Sequence, residues 1–221
     1  MHFPLAYRTA ILVTALCLCG QAQNPPGTES RASQVRGIPP RATPGDYQAH
    51  AEAGKATIAA ESLGHSIPRP QGSPLVTEDY VVIETGLFGP AGAHLTISYD
   101  DFSLRINDKK NPQSCQPFGM VYRSLKDPDW VPPESADSKS KSSFSTGGQG
   151  GNEPPPPVHM PLELQRAAQQ RVQKAALPQG DRVLPEAGLI FFNYHGKIEN
   201  IHSMELMYHG PAGNATLELQ P

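Results

Sequence analysis

The sequence predicts a mainly β protein: an antiparallel β-sandwich with a disordered insertion and one helix. Three observations predict it. The first is period-two alternation of apolar residues in several short runs. The clearest is Asp79 to Phe88, where Val81, Ile83 and Leu87 fall on one face and Tyr80, Val82 and Glu84 on the other. The second is punctuation by turn-forming clusters, at Gly89-Pro90-Ala91-Gly92, Asn107 to Pro112 and Gly210 to Asn214. The third is size. The strands after residue 184 occupy fewer than about 40 residues, too few to bury a core alone. They must share one with the strands before the insertion.

The chain opens with a signal-like segment. Arg8 precedes an apolar run from Thr9 to Cys19, and Gly20-Gln21-Ala22 follows with small residues at a cleavage spacing. That order is a secretory signal over residues 1–22. At about 11 residues the run is too short to span a bilayer core of roughly 30 Å. Cleavage after Ala22 removes Cys17 and Cys19 and leaves Cys115 as the single thiol, so no internal disulfide can form. The expected location is the periplasm or the medium, with no integral membrane segment once the signal is gone. Lipid attachment at Cys17 or Cys19 is the alternative, although bulky Leu16 and Leu18 precede them. Arg8 is the only charged residue before the cut. The remainder therefore carries 17 Lys and Arg against 21 Asp and Glu, a mildly acidic balance with no basic patch in the sequence, so no nucleic-acid partner is expected.

Residues 23–52, rich in Pro, Gly, Ser, Arg and Gln, read as a disordered leader. A single domain is expected over 53–221. A first strand is expected at Lys55 to Glu61, then Asp79 to Phe88. Leu95, Ile97 and Tyr99 continue on odd positions, and Phe102, Leu104 and Ile106 on even ones. The parity switch at Asp100-Asp101 requires a bulge or bend if both sets face one core. Phe118 to Tyr122 reads as a further strand, and Trp130 as a cap on the core. Residues 134–158, Ser-, Gly-, Lys- and Pro-rich, read as a flexible linker. Pro161 then opens a helix to about Ala176, with Leu164, Ala168, Val172 and Ala175 at helical spacing. That helix is expected to cover a sheet edge. Leu189 to Tyr194 is a nearly continuous apolar strand, and His195-Gly196-Lys197 begins a hairpin-like connection. Ile201 to His209 places Met204, Leu206 and Tyr208 on one face. Ala215, Leu217 and Leu219 alternate in the last strand.

Two stretches carry a resemblance. Asp79-Tyr80-Val81-Val82-Ile83-Glu84 leads through Leu95-Thr96-Ile97-Ser98 to Asp101-Phe102-Ser103-Leu104-Arg105, and Glu186-Ala187-Gly188-Leu189-Ile190-Phe191-Phe192 leads to a final hairpin. Over residues 54–131 and 184–220 the chain resembles immunoglobulin-like, telokin-like domains of exported bacterial proteins. The resemblance implies an immunoglobulin-like sandwich and export, and transfers no functional residues.

The chemistry-bearing motifs are sparse. The sequence contains no Gly-x-Ser-x-Gly elbow, phosphate-binding Gly-Lys-Ser/Thr loop or His-Glu-x-x-His pair. Asp100, Asp101, Asn107 and Asp108 supply too few regularly spaced oxygens for calcium and read as a polar bend and turn. Cys115 reads as a small buried residue. His202-Ser203-Met204, with Met207 and His209 beyond, has the soft ligands that suit Cu(I). His202 and Met204 are expected to share a strand face, the same one as Leu206 and Tyr208. The expectation is therefore an exported, non-enzymatic binding or structural module of the cell envelope, with no cofactor and another envelope protein as partner. A copper carrier using His202 and Met204 is the first alternative, and a hydrolase with an unrecognised site the second.

Overall fold

The computed structural model describes residues 35–131 and 160–221. The expected signal segment, the first part of the leader and the expected linker lie outside the described residues. Among the described residues, thirteen strands and two α-helices follow in chain order. Before the insertion come β1 (Ala49–Ala53), β2 (Ala56–Ser62), β3 (Ser66–Ile67), β4 (Leu75–Thr77), β5 (Tyr80–Phe88), β6 (His94–Ile97), β7 (Phe102–Ile106), β8 (Gln113–Ser114), α1 (Phe118–Val121) and β9 (Leu125–Lys126). After it come α2 (Leu162–Ala175), β10 (Gly180–Val183), β11 (Glu186–Asn193), β12 (Met204–Gly210) and β13 (Gly213–Leu219). No helix among the described residues is long and apolar enough to cross a membrane.

Two four-stranded antiparallel sheets, ordered β1-β2-β5-β11 and β13-β12-β7-β8, form the sandwich. Strands from both sides of the insertion share each sheet. Ile190 pairs with Ile83 in the first, and Leu206 with Leu104 in the second. Alternate residues of each sheet meet in one core, with Ile58, Val81, Ile83, Leu87, Ile190 and Phe192 facing Phe102, Leu104, Ile106, Leu206, Tyr208 and Leu217. The expected bend is a single 3-10 turn at Tyr99–Asp101, capped by Ser98. It carries the chain from β6, which pairs with β10, into β7 of the second sheet. Leu95, Ile97 and Tyr99 stay in the same core as Phe102, Leu104 and Ile106.

Strands β5 and β11 of the first sheet are buried on both faces. Tyr80 and Val82 of β5 and Leu189 and Phe191 of β11 join Ala168, Val172 and Ala175 of α2 in a second apolar cluster. This accounts for the near-continuous apolar run of β11, since a strand covered on both sides has no solvent face to keep polar. The helix therefore lies on the face of the sheet rather than along an edge as expected. The outer edge of β11 is covered by backbone instead. The amides of Ile38, Gln116 and Leu177 donate to the carbonyls of Ala187 (2.9 Å), Phe191 (2.7 Å) and Leu189 (2.9 Å). Glycine permits this approach. A Cβ on Gly188 would lie 2.3 Å from Leu177 Cα, and one on Gly37 (φ +72°) would lie 2.1 Å from the Ala187 carbonyl.

Three local expectations are corrected. Order begins before residue 53: four of the five residues of β1 lie in the stretch read as leader, and the strand pairs with β2. Phe118 to Tyr122 is not a strand but the helical turn α1 running into a 3-10 turn at Tyr122–Ser124. The run was too short for periodicity to decide, and the four-residue spacing sets Phe118 against Tyr122, with ring centroids 6.1 Å apart. His195 to Lys197 does not open a hairpin, because β11 and β12 belong to different sheets and this connection crosses between them.

Candidate functional site

Arg69 organises the region below α2. Its Nη1 and Nη2 each donate to the Asp127 carboxylate at 3.0 Å, and Nη2 also pairs with Asp129. Asp129 accepts from the Ser73 amide at 3.1 Å. The hydrogen bonds from Ser73, and then the Arg69 charge, hold its carboxyl below the usual range. Asp127-Pro128-Asp129-Trp130 has the Asp-Pro start that favours a β-turn, and the Trp130 amide closes it on the Asp127 carbonyl at 3.1 Å. This turn carries the only tryptophan of the chain to the wall of a cleft. Trp130 belongs to neither apolar cluster, so it is not the core cap expected from the sequence.

The cleft has a volume of about 850 Å³ and lies between β9, the Tyr122–Ser124 turn and the first half of α2. Tyr122 and Trp130 supply aromatic surface. Gln165 and Gln169, one helical turn apart, supply amides from α2. Gln165 Nε2 donates to the Met160 carbonyl at 2.6 Å, which fixes that side chain and leaves its oxygen as an acceptor. Burial pushes the Tyr122 hydroxyl up, so the phenol stays neutral. The charges on the walls are mostly compensated. Lys126 Nζ lies 2.5 Å from Glu78, and Asp127 is held by Arg69. Arg123 has no ion pair among the described residues. The cleft can therefore recognise flat apolar faces, hydroxyl groups and an anion, within the 300–1,000 Å³ usual for small-ligand sites.

The residues singled out in the sequence lie elsewhere. Met204 is 2% exposed in the main core, whereas His202 is exposed. They do not share a face, because the strand begins only at Met204. His202 sits in the irregular segment before it, where its amide donates to Asn107 Oδ1 at 2.7 Å. Met207 is buried and His209 exposed. Among the described residues no three His, Cys, Asp or Glu side chains are grouped to hold a metal. Asp101 accepts from the Ser98 amide at 3.1 Å and Ser98 Oγ accepts from Asp100, so this acidic pair caps a turn. Asn107 and Asp108 adopt left-handed conformations (φ 52° and 53°) in the next turn. Cys115 is buried in the main core, and burial pushes its thiol up to about 12.

Sequence reasoning missed Tyr122, Arg123, Gln165 and Gln169. Reading Phe118 to Tyr122 as a strand hid the first two. The four-residue spacing of the glutamines on a proline-started helix was the one available signal.

No family model matches the chain, and no curated protein matches it. Among solved structures the chain is similar to one from Bacillus subtilis described as a "putative lipoprotein (ycdA)". The identity is 11% and the TM-score 0.33. The match covers 76% of this chain and 37% of that one.

Proposed function

We propose that the protein is an exported, non-enzymatic binding module of the cell envelope, with the cleft beside α2 as its ligand site. The immunoglobulin-like, telokin-like affiliation belongs to the same proposal and rests on the motifs in β5 to β7 and β11 to β13. One observation carries the binding reading. Among the described residues Arg123 is uncompensated, in a cleft whose other charges are paired and whose walls hold Tyr122 and Trp130. The signal-like residues 1–22 carry the export reading. Strand addition at β11 is a poor way to bind a partner, since three backbone segments already occupy that edge.

Trp130 gives a direct test because no other tryptophan contributes to the emission. The purified protein is titrated with separate glycan, peptide and small-molecule fractions of bacterial envelopes. At least one fraction should shift the Trp130 emission and raise the melting temperature, and Gln169→Ala should weaken both responses. No shift with any fraction would remove the cleft as a ligand site.

A further inference from the structure

We propose that the ligand is an acidic polysaccharide, a uronate-bearing chain that lies in the aromatic cleft and crosses α2. The proposal rests on the binding role of the cleft and names its ligand class. The cation distribution carries it. Arg41, Arg69, Arg105 and Lys126 are each committed to a carboxylate. Arg123, Arg166, Arg171 and Lys174 have no ion pair among the described residues, and all four lie on or beside α2, whose only acidic residue is Glu163. Lys55, Lys109, Lys110, Arg182 and Lys197 also lack an ion pair among the described residues, but they lie on other strands and turns, whereas these four share one helix and the turn beside it.

Helical spacing lays these cations out as a band. Gln165 and Gln169 flank the aromatic cleft, whereas Gln170, Arg171 and Lys174 line a second groove of about 440 Å³. At about 100° per residue the two sets fall on opposite flanks of α2, and Arg166 falls on the solvent ridge between them. The positive band therefore runs from Arg123 in one groove, over Arg166, to Arg171 and Lys174 in the other. A single small anion would leave most of it unused. A polymer with a carboxylate on each repeat would use its whole length.

The cleft chemistry selects a sugar over other polyanions. Tyr122 and Trp130 offer rings for the C–H faces of pyranoses, and Gln165 and Gln169 can donate to and accept from hydroxyls. Arg123 suits a carboxylate through its forked donors. A peptide strand would need main-chain partners, and the edge here, β9, is only two residues long.

The test titrates the purified protein with hexagalacturonate, digalacturonate, neutral cellohexaose and a short DNA duplex, reading Trp130 emission and melting temperature. Hexagalacturonate should quench or shift Trp130, with affinity falling as salt rises. Arg123→Gln should weaken it about tenfold or more. The pair Arg166→Gln and Arg171→Gln should weaken the hexamer but not the dimer. These Arg→Gln changes, at exposed Arg123 and Arg166 and half-buried Arg171, should leave the melting temperature of the free protein unaltered, so lost binding is not lost folding. Three results would overturn the proposal: no Trp130 response to hexagalacturonate, equal affinity for cellohexaose, or equal affinity and Trp130 response with DNA. A response to cellohexaose alone would discard the acidic class while leaving the cleft as a ligand site.

Discussion

Arg41 shows how much one side chain contributes to ordering this chain. Its Nε and Nη2 donate to the two Glu84 oxygens at 3.0 and 3.1 Å, and Nη1 donates to the Asp46 carbonyl at 2.6 Å and also pairs with Glu61. The guanidinium lies 4.6 Å from the Tyr47 ring centroid. The Glu84 hydrogen bonds, against an opposing cost of burial, hold its pKa above the usual arginine value. Glu84 is 8% exposed, so removing Arg41 strands a carboxylate in the sheet. Arg41→Ala should cost about 3 kcal/mol in urea unfolding. Glu84→Gln in that background should recover part of the loss, and no recovery would mean the charge is not the cause. Asp129 makes a pH-dependent counterpart. Its folded pKa is depressed below 3.8, so the stability it contributes is present at neutral pH and lost as pH falls through the depressed value. The gap in urea midpoint between wild type and Asp129→Asn should be constant above about pH 5 and close below about pH 4. A gap that persists at low pH would assign the effect to something other than the carboxylate. Neither residue was legible in the sequence. Arg41 sits in a stretch whose composition signals disorder, and its partner lies 43 residues further on.

Elements were legible where their burial was one-sided. β7 and β13 alternate cleanly, with Phe102, Leu104 and Ile106, and Ala215, Leu217 and Leu219, all buried. The same parity correctly placed Met204 in the core, but it could not show that the strand stops short of His202. Two-sided burial hides what covers the second face of β5 and β11, although both read as strands, and a short element is misread. β11 reads as a strand from its apolar run alone, whereas α1, at four residues, reads as a strand and is helical. The helix α2 was found by its proline and its spacing, yet the covering of the sheet face had no local signal. Its docking decides its stability, because an isolated helix of 14 residues is marginal in water. Val172 is fully buried between α2 and the sheet, while Leu162 is 66% exposed. Val172→Ala should therefore cost about 2 kcal/mol, and Leu162→Ala about 0.5 kcal/mol or less. Val172→Asp should release the helix and speed hydrogen exchange in α2. Equal exchange rates in wild type and Val172→Asp would show that the helix is not held by this contact.

At the scale of the molecule, the insertion divides the sequence but not the core. The part before it supplies β1, β2 and β5 to one sheet and β7 and β8 to the other. The part after it supplies β11, β12, β13 and α2. Each part alone would leave Val81, Ile83 and Leu104, or Ile190, Phe192 and Leu206, in water, and the β5–β11 and β7–β12 ladders would be lost. A mixed apolar and backbone interface of this kind resembles a domain core cut in half, and such interfaces hold without a covalent link. A protease site placed within residues 143–149 should therefore yield two fragments that co-elute on gel filtration and separate only in denaturant. The nicked protein should unfold in one transition, at lower denaturant than the intact chain, because cutting the connection makes association intermolecular. Fragments that separate in native buffer would mean that each half stabilises itself, and the shared core could not then be what holds the fold.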